Sequence, residues 1–290
     1  MKTKQPTQGV VYFAVDAWPY LESAVISAFA LRQVSPQLPI IIFSNIKRTE
    51  LQEQLSEFNI ALKPIVIPEK ERLSNVMVSR VIKTSLHTFT VFDETLYLDA
   101  DILPIKPIDE IWSFFNHGNI ALVPDPVPKM VDCVDCSEYI SSEERDYTLK
   151  TCAADLIQFN SGLILWKNTP DAQTLFETWQ KEWRKFKQQD QLALSRAIQE
   201  TKNQIVHLPY AYNYPVSWLT KIFSIEQMEQ MEQIVPDLTE LNDIKMIHCY
   251  HSFTLEEQVF NKAARKLMPD ATEKAVRCLQ SSSEREFDMY

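Results

Sequence analysis

Apolar positions along the first hundred residues alternate between two spacings. Short continuous apolar runs occur at Val10–Val15 and Pro39–Ser44, and such runs are typical of strands buried on both faces. Apolar side chains recur at helical spacing over Pro19–Gln33 and again over Thr49–Phe58, and a further strand is indicated at Thr95–Asp99. This alternation predicts an α/β fold with a mostly parallel central sheet flanked by helices.

The second half of the chain is less regular. A long polar segment, Pro124–Gln158, precedes a predicted strand at Leu163–Trp166, and a loop of that length is expected to be functional or partly helical. Thr169 followed by Pro170 predicts the start of a helix. No repeat or interdomain linker interrupts the pattern. We therefore predict one domain over residues 10–280, with a disordered N-terminus over 1–9 and a flexible tail over 281–290.

Composition narrows the classes of ligand. The formal net charge of −10 argues against binding to nucleic acid, whose phosphates attract basic surfaces. The sequence contains only three glycines, Gly9, Gly118 and Gly162, and they are widely separated. Dinucleotide-binding folds and P-loops need clustered glycines where the backbone approaches phosphate. A diphosphate would therefore have to be bound by side chains and a metal ion.

The sequence carries no sign of export or membrane insertion. The first residues are polar, and no apolar stretch is long enough to span a bilayer, so we expect a cytoplasmic protein. The cysteine count of five argues against a disulfide framework in that compartment. Cys133 and Cys136 form a C-x-x-C with Cys152 nearby. They could bind zinc, but without a second pair at zinc-site spacing we favour three thiols in one long loop.

The main chemical signal is the pair Asp99 and Asp101, which follows the apolar run Leu96–Leu98. Ligands of parallel α/β sheets lie outside the carboxyl ends of the strands, and Asp16 directly follows the first predicted strand at the same edge. Carboxylates suit Mg²⁺ or Mn²⁺, which share their coordination shell with substrate phosphates. An acidic turn that merely ends a strand is the structural alternative.

Three further segments could contribute to such a site. Asn160–Gly162 places small polar groups ahead of a buried strand, where they could contact a hydroxylated ligand or form an ordinary turn. Asp190–Gln191 lies at a predicted helix start, where an aspartate often serves as the N-cap. His248 follows an apolar strand, with His251 three residues later. Either histidine could complete a metal shell or serve a structural role.

Together these segments resemble glycosyltransferase family 8, the GT-A-fold family that includes glycogenin and bacterial galactosyltransferases. The resemblance spans roughly residues 10 to 251. The pieces that carry it are FAVDAWPY, the helix with Arg80 and Lys83, LYLDADILP, FNSGLILW, QQDQLAL and IHCYH. It implies a GT-A domain whose donor-binding part covers about residues 10–123 and whose acceptor and catalytic part covers about 124–280.

The resemblance also implies a function for individual residues. Asp99, Asp101 and His248 would bind Mn²⁺ or Mg²⁺, and Asp190, Gln191 and Asn160 would be catalytic. The residues implied to contact the nucleotide-sugar are Val15, Asp16, Tyr20, Arg80, Lys83, Asp99, Ala100, Asp101, Ser161, Gly162 and His251. The donor would be a UDP-sugar, and the sugar would pass to an unidentified acceptor hydroxyl with retention of configuration. An inverting enzyme would need a carboxylate base, a role that Asp190 could also fill.

The last motif departs from the family. His251 occupies the position of a glycine, and the lysine and tryptophan that close over the pyrophosphate are missing. His251 is therefore an alternative phosphate or metal ligand. Two other functions stay open: a GT-A relative that binds a nucleotide or protein without turnover, and a phosphatase in which the first aspartate of the D-x-D is the nucleophile.

Overall fold

The computed structural model describes residues 7–15, 17–67, 75–132, 140–216, 243–249, 258–281 and 288–289. The strands are β1 (Gln8–Ala14), β2 (Ile40–Ser44), β3 (Ile46–Lys47), β4 (Ile60–Pro64), β5 (Glu94–Leu98), β6 (Ile102–Pro104), β7 (Ile120–Lys129), β8 (Ile157–Lys167), β9 (Ile205–His207), β10 (Tyr214–Pro215), β11 (Met246–His248) and β12 (Asp288–Met289). The helices are α1 (Trp18–Val34), α2 (Thr49–Glu57), α3 (Asn75–Lys83), α4 (Ser142–Thr151), α5 (Pro170–Phe186), α6 (Asp190–Thr201), α7 (Gln258–Leu267) and α8 (Pro269–Ser281). None of these helices combines the length and the apolar character that a membrane crossing requires.

The chain forms two compact units that are interleaved along the sequence. Unit 1 takes its described residues from 1–9, 68–97 and 112–208, and unit 2 takes its described residues from 10–67, 98–111 and 209–290. These boundaries differ from the predicted division into a donor part and an acceptor part near residue 123. The single domain over 10–280 stays a prediction.

Unit 2 is built on the parallel strands β4, β2 and β1, in that order. All five residues of β2 are buried, as its unbroken apolar run predicts. Helix α1 buries ten of its residues, because its sequence is apolar or small over almost three turns. A second, smaller sheet has the order β10, β11, β6. The parallel arrangement brings the carboxyl ends of β1 and β2 to one edge.

Unit 1 has the strand order β5, β8, β7, β9. Strands β7 and β8 are antiparallel, whereas β7 and β9 are parallel. Fully buried aromatic side chains fill its core, with the rings of Trp166 and Phe176 centred 5.2 Å apart. The predicted start of α5 is confirmed, because the Thr169 hydroxyl accepts a hydrogen bond from the Ala172 amide at 3.4 Å and Pro170 opens the helix.

Several boundaries differ from the sequence prediction. Strand β1 begins at Gln8, inside the stretch predicted to be disordered. The predicted loop Pro124–Gln158 contains the second half of β7 and the helix α4. Helix α8 extends to Ser281. Strand β12 lies in the predicted flexible tail and pairs with β3. The strands β1, β7 and β12 form by backbone pairing with other strands, which a local pattern does not report. Helix α4 agrees with the expectation that the long segment is partly helical.

A buried arginine fixes α6, the helix that begins with Asp190. The guanidinium of Arg196 donates to Glu182 on α5 at 3.0 Å and to Glu144 on α4 at 3.0 Å. It also donates to the Thr148 hydroxyl at 2.6 Å. The exposed side-chain fractions of Arg196, Glu144 and Glu182 are 2%, 1% and 3%. Three helices therefore meet at one desolvated cation.

Replacing this cation should destabilise unit 1 strongly. Arg196→Met leaves Glu144 buried without a cationic partner and leaves Glu182 with Lys185 alone, so we expect the free energy of unfolding to fall by about 3 to 5 kcal/mol. The triple variant Arg196→Met/Glu144→Gln/Glu182→Gln should recover most of that loss, because no uncompensated charge remains. Urea denaturation followed by circular dichroism measures both.

The exposed Arg184 on the neighbouring helix α5 provides the control. Arg184→Met should change the free energy of unfolding by less than about 0.5 kcal/mol. Equal effects of Arg196→Met and Arg184→Met would show that the buried network contributes nothing to stability.

Candidate functional site

The D-x-D motif lies in a tight turn between β5 and β6. On an extended strand, Asp99 and Asp101 would point to opposite faces. The amide of Ile102 donates to the carbonyl of Asp99 at 3.1 Å, which closes the turn. The turn removes the alternation of the strand, so that both carboxylates can face one point.

Strand β11 brings His248 beside this turn. It pairs antiparallel with β6, with His248 opposite Ile102. The amide of Cys249 donates to the carbonyl of Asp101 at 2.9 Å. The imidazole Nε2 of His248 lies 3.4 Å from Oδ1 of Asp101. His248 is buried, with 4% of its surface exposed, so the solvent does not compete strongly for this contact.

The three side chains fit a small divalent cation. One ligand atom from each of Asp99, Asp101 and His248 lies within 4.8 Å of the other two. Ligands around Mg²⁺ at about 2.1 Å can be at most about 4.2 Å apart, so a contraction of roughly half an ångström would complete the set. Two carboxylates and one imidazole suit Mg²⁺ or Mn²⁺ and leave positions open for phosphate oxygens. The structure thus brings together the residues predicted as ligands, and metal binding itself stays a prediction.

Cys249 adjoins this cluster but is a poor candidate ligand. It is completely buried, and burial raises the pKa of its thiol, as does the neighbouring charge of Asp101. A thiol must lose its proton to bind a metal, so Cys249 acts through its backbone amide. Of the other predicted contacts in unit 2, Val15 and Ala100 are buried and Tyr20 is half-buried. Asp16, His251 and the C-x-x-C lie outside the described residues.

Unit 1 contains a second cluster, centred on Asp190. The Nε of Arg80 donates to Oδ1 of Asp190 at 3.3 Å, and the ammonium of Lys83 lies 3.5 Å from Oδ2. The hydroxyl of Ser161 donates to Oδ2 at 2.7 Å. Asp190 is the first residue of α6, and the N-cap position belongs to Gln189. The simple alternative for Asp190, an N-cap, is therefore wrong.

Asp190 is ionised in this environment. Burial alone would raise the pKa of its carboxyl, but the charges of Lys83 and Arg80 and the hydrogen bond from Ser161 lower the pKa below its usual range. A carboxylate with two cationic partners is a weak base and a weak nucleophile at neutral pH. The geometry favours Asp190 as an anchor that orients Arg80 and Lys83.

A bulge in β8 shapes this cluster. The pairing of β7 with β8 jumps from Leu122 opposite Ile164 to Val123 opposite Asn160. Residues 161–163 are therefore extra residues of the bulge, in which the Asn160 side chain accepts from the Gly162 amide at 2.9 Å. The sequence placed these residues ahead of the strand, with ligand contact or an ordinary turn as the two options, whereas they lie within β8. Bulges often redirect side chains next to active sites.

One neighbour of the cluster was not predicted. The amide group of Gln191 donates to Oδ2 of Asp125 at 2.8 Å, and Oδ1 of Asp125 accepts from the Val127 amide. Asp125 lies two residues after the apolar run Ile120–Val123, much as Asp99 follows the apolar run Leu96–Leu98. That position was the available signal, but Asp125 falls in the proline-marked segment Pro124–Gln158, in which no site residue was predicted.

No protein-family model matches the chain, and no curated protein matches it in sequence. Solved structures do match. The apo structure of WbbM, a bifunctional glycosyltransferase, has a TM-score of 0.60 at 14% identity and covers 96% of this chain. The glycosyltransferase GlyE of Streptococcus pneumoniae TIGR4 has a TM-score of 0.57 at 14% identity and covers 98%. The chain spans 52% and 66% of those two proteins.

A third structure matches over nearly its whole length. The galactosyltransferase LgtC, in complex with donor and acceptor sugar analogs, has a TM-score of 0.56 at 13% identity over 96% of this chain and 97% of LgtC. These likenesses establish the fold: α/β of the GT-A type, with a mostly parallel central sheet flanked by helices, as predicted. Membership of family 8 stays a prediction at such low identity.

Because of the ion pairs of Asp190, the free energy of unfolding should depend on pH. Its pKa is lowered in the folded state, so its contribution is present at neutral pH and is lost as the pH falls through the folded-state pKa, below the ordinary 3.8. At pH 7, Asp190→Asn should lower the free energy of unfolding by about 2 to 4 kcal/mol. That is somewhat less than for a fully buried pair, because Arg80 keeps 24% of its side-chain surface exposed.

Urea denaturation from pH 7 down to pH 2.5 measures the effect. The difference between wild type and Asp190→Asn should shrink at the acidic end. The exposed Asp155 gives the control, because Asp155→Asn should leave the curve unchanged. A wild-type to Asp190→Asn difference that stays constant with pH would contradict an ionised, paired Asp190.

Proposed function

We propose that this protein is a metal-dependent glycosyltransferase that moves a sugar from a nucleotide-diphosphate donor to an acceptor hydroxyl. The observation that carries the proposal is the cluster of Asp99, Asp101 and His248 within 4.8 Å of one another, in a chain with the GT-A fold. Two carboxylates alone could end a strand. The buried His248, on a separate strand, adds a nitrogen ligand at the same point, which a simple acidic turn would not need.

The metal cluster would act on the diphosphate. A divalent cation at this cluster would neutralise the charge that develops on the leaving phosphate oxygens. Asp99 and Asp101 would hold that cation by charge, while His248 would fix its direction through a buried imidazole. The short turn and the β6–β11 ladder hold these ligands before the donor arrives, which lowers the entropy cost of binding.

For the residues of unit 1, the proposal takes the roles that the resemblance to family 8 implies. Arg80 and Lys83 together with Asp190 carry a net charge of about +1, which suits an anionic donor. Asp190 would keep both cations oriented. Gln191 and Asn160 offer amide groups that can donate to and accept from sugar hydroxyls. Ser161 and Gly162 lie in the bulge of β8, and Ser161 donates to Asp190.

The classes of donor and acceptor are inferred from similarity to LgtC and to family 8. The structure of LgtC contains donor and acceptor sugar analogs, and family 8 resemblance implies a UDP-sugar, Mn²⁺ or Mg²⁺, and retention of configuration. We extend these to this chain as part of the proposal. The acceptor is a hydroxyl of a glycan, lipid, small molecule or protein.

Nucleotide binding should require both the metal and the D-x-D. In calorimetric titrations, UDP should bind wild type in the presence of Mn²⁺ and bind at least about tenfold more weakly without it. Asp101→Ala should abolish the Mn²⁺-dependent part, because the cation loses a charged ligand. The exposed Asp155 again gives a matched control, Asp155→Ala.

Three outcomes separate the candidate functions. Mn²⁺-dependent UDP binding together with UDP release from a UDP-sugar supports a transferase. Binding without any turnover of a panel of donors and acceptors indicates a GT-A relative that only binds. Phosphate release from a phosphoester without nucleotide binding would indicate a phosphatase and contradict the proposal.

Arg80 should affect donor recognition more than folding. Arg80→Gln removes one positive charge and leaves Lys83 to pair with Asp190, so the KM for the donor should rise about tenfold with a smaller change in kcat. Steady-state release of UDP measures both constants. Arg184→Gln, at an exposed site on α5, should leave them unchanged. An unchanged KM in Arg80→Gln would remove Arg80 from the donor site.

A further inference from the structure

A chain of buried hydroxyl groups lies beneath the D-x-D turn in unit 2. The hydroxyl oxygen of Ser27 on α1 lies 3.0 Å from that of Tyr12 on β1 and 2.5 Å from the carbonyl oxygen of Ile102 on β6. All three residues have 0% exposure. Ser27 has a single hydroxyl proton, and a carbonyl can only accept. Ser27 therefore donates to Ile102, and Tyr12 donates to Ser27.

The register of β6 explains why Ile102 needs this donor. Cys249 donates to Asp101, and the next aligned pair is Ile102 with His248. Aligned pairs on antiparallel strands alternate between hydrogen-bonded and non-hydrogen-bonded, so the carbonyl of Ile102 points away from β11. Strand β6 is at the edge of its sheet within the described part of the chain. The Ser27 hydroxyl thus donates a hydrogen bond to a buried carbonyl that does not bond to β11.

Ile102 is the residue that links all three proposed metal ligands. It directly follows Asp101 in the chain, its amide donates to the carbonyl of Asp99, and it lies opposite His248 in the ladder. A shift of Ile102 would therefore change the separation of the ligand atoms. On the side away from β11, its carbonyl accepts the hydrogen bond from Ser27.

We propose that Ser27 and Tyr12 are positioning residues of the metal site. Their hydroxyl relay holds Ile102, and through it the Asp99–Asp101 turn, at the separation from His248 that a cation requires. This inference rests on the metal site of the proposed function, and it adds a supporting shell that begins in β1 and α1. Groups that orient metal ligands commonly change metal affinity by 10- to 100-fold when they are removed.

The relay should work over the whole neutral pH range. Complete burial raises the pKa of the Tyr12 hydroxyl well above its ordinary value of 10. Tyr12 therefore stays a protonated donor well above neutral pH. Neither hydroxyl changes its charge between pH 6 and pH 9, so the relay orients the ligands without titrating.

The test is the affinity for Mn²⁺ alone, measured by electron paramagnetic resonance of free Mn²⁺ with the full chain. Ser27→Ala should weaken Mn²⁺ binding by about tenfold, because the carbonyl of Ile102 loses its donor. Tyr12→Phe should weaken it by about two- to fourfold, because Ser27 can still donate but loses its orienting partner. Thermal melting of each variant, without metal, shows that it is folded.

Ser23 provides a matched control. It is a buried serine one turn earlier on α1, so Ser23→Ala removes the same atoms from the same helix. Ser23→Ala should leave Mn²⁺ affinity unchanged, even if it lowers the melting temperature. Loss of affinity in Ser27→Ala but not in Ser23→Ala therefore reports positioning and not general destabilisation.

The outcomes distinguish this inference from the proposed function. If wild type binds Mn²⁺ and both Ser27→Ala and Tyr12→Phe bind it equally well, the relay has no positioning role and the metal site survives. If wild type does not bind Mn²⁺, the metal site fails and the relay fails with it. If Ser27→Ala does not fold, a folded Tyr12→Phe with wild-type affinity overturns the inference.

Discussion

The pairing of β6 with β11 is the interaction on which the candidate metal site depends. A D-x-D turn by itself offers a cation two carboxylates in a flexible, hydrated loop. The third group, His248, comes from a segment far along the chain, and the β6–β11 ladder sets it opposite Ile102. Folding already brings these distant segments together, so the loss of chain entropy occurs before a cation binds. The hydroxyl of Ser27 completes the same arrangement from the other side of β6.

The two units differ in how their charged side chains are arranged. In unit 2 the carboxylates of Asp99 and Asp101 share one turn and repel each other, with His248 beside Asp101. In unit 1 the charges compensate one another: Asp190 has two cationic partners, and Arg196 has two carboxylate partners. Asp190 and Arg196 both lie on α6, with the anion in its first turn, where the helix dipole favours it. The buried charges of unit 1 are thus paired within the unit, whereas the candidate metal site of unit 2 has an excess of negative charge.

Where sequence reasoning failed, the cause was a contact made far along the chain. Asn160 and its neighbours were placed ahead of the strand, where an ordinary turn was one option, because small polar residues and glycine favour turns locally. Pairing with β7 instead extends β8 through them and leaves a bulge. Asp125 was overlooked because it falls in a proline-marked segment in which no site residue was predicted, yet Gln191 donates to its carboxylate. Asp190 looked like an N-cap, and its position one residue inside α6 directs its side chain to Arg80 and Lys83 instead.

Local sequence determined the α/β class, the strand before the D-x-D, the start of α5 at Thr169, and the residue types able to bind a cation. These follow from hydrophobic period, capping chemistry and ligand chemistry, all of which act within a few residues. Tertiary structure alone decided that His248 meets Asp101, that Asp190 is neutralised by Arg80 and Lys83, and that Ser27 supports Ile102. Such contacts depend on strand register and helix packing, and a shift of one residue along β11 would turn His248 to the other face of its sheet.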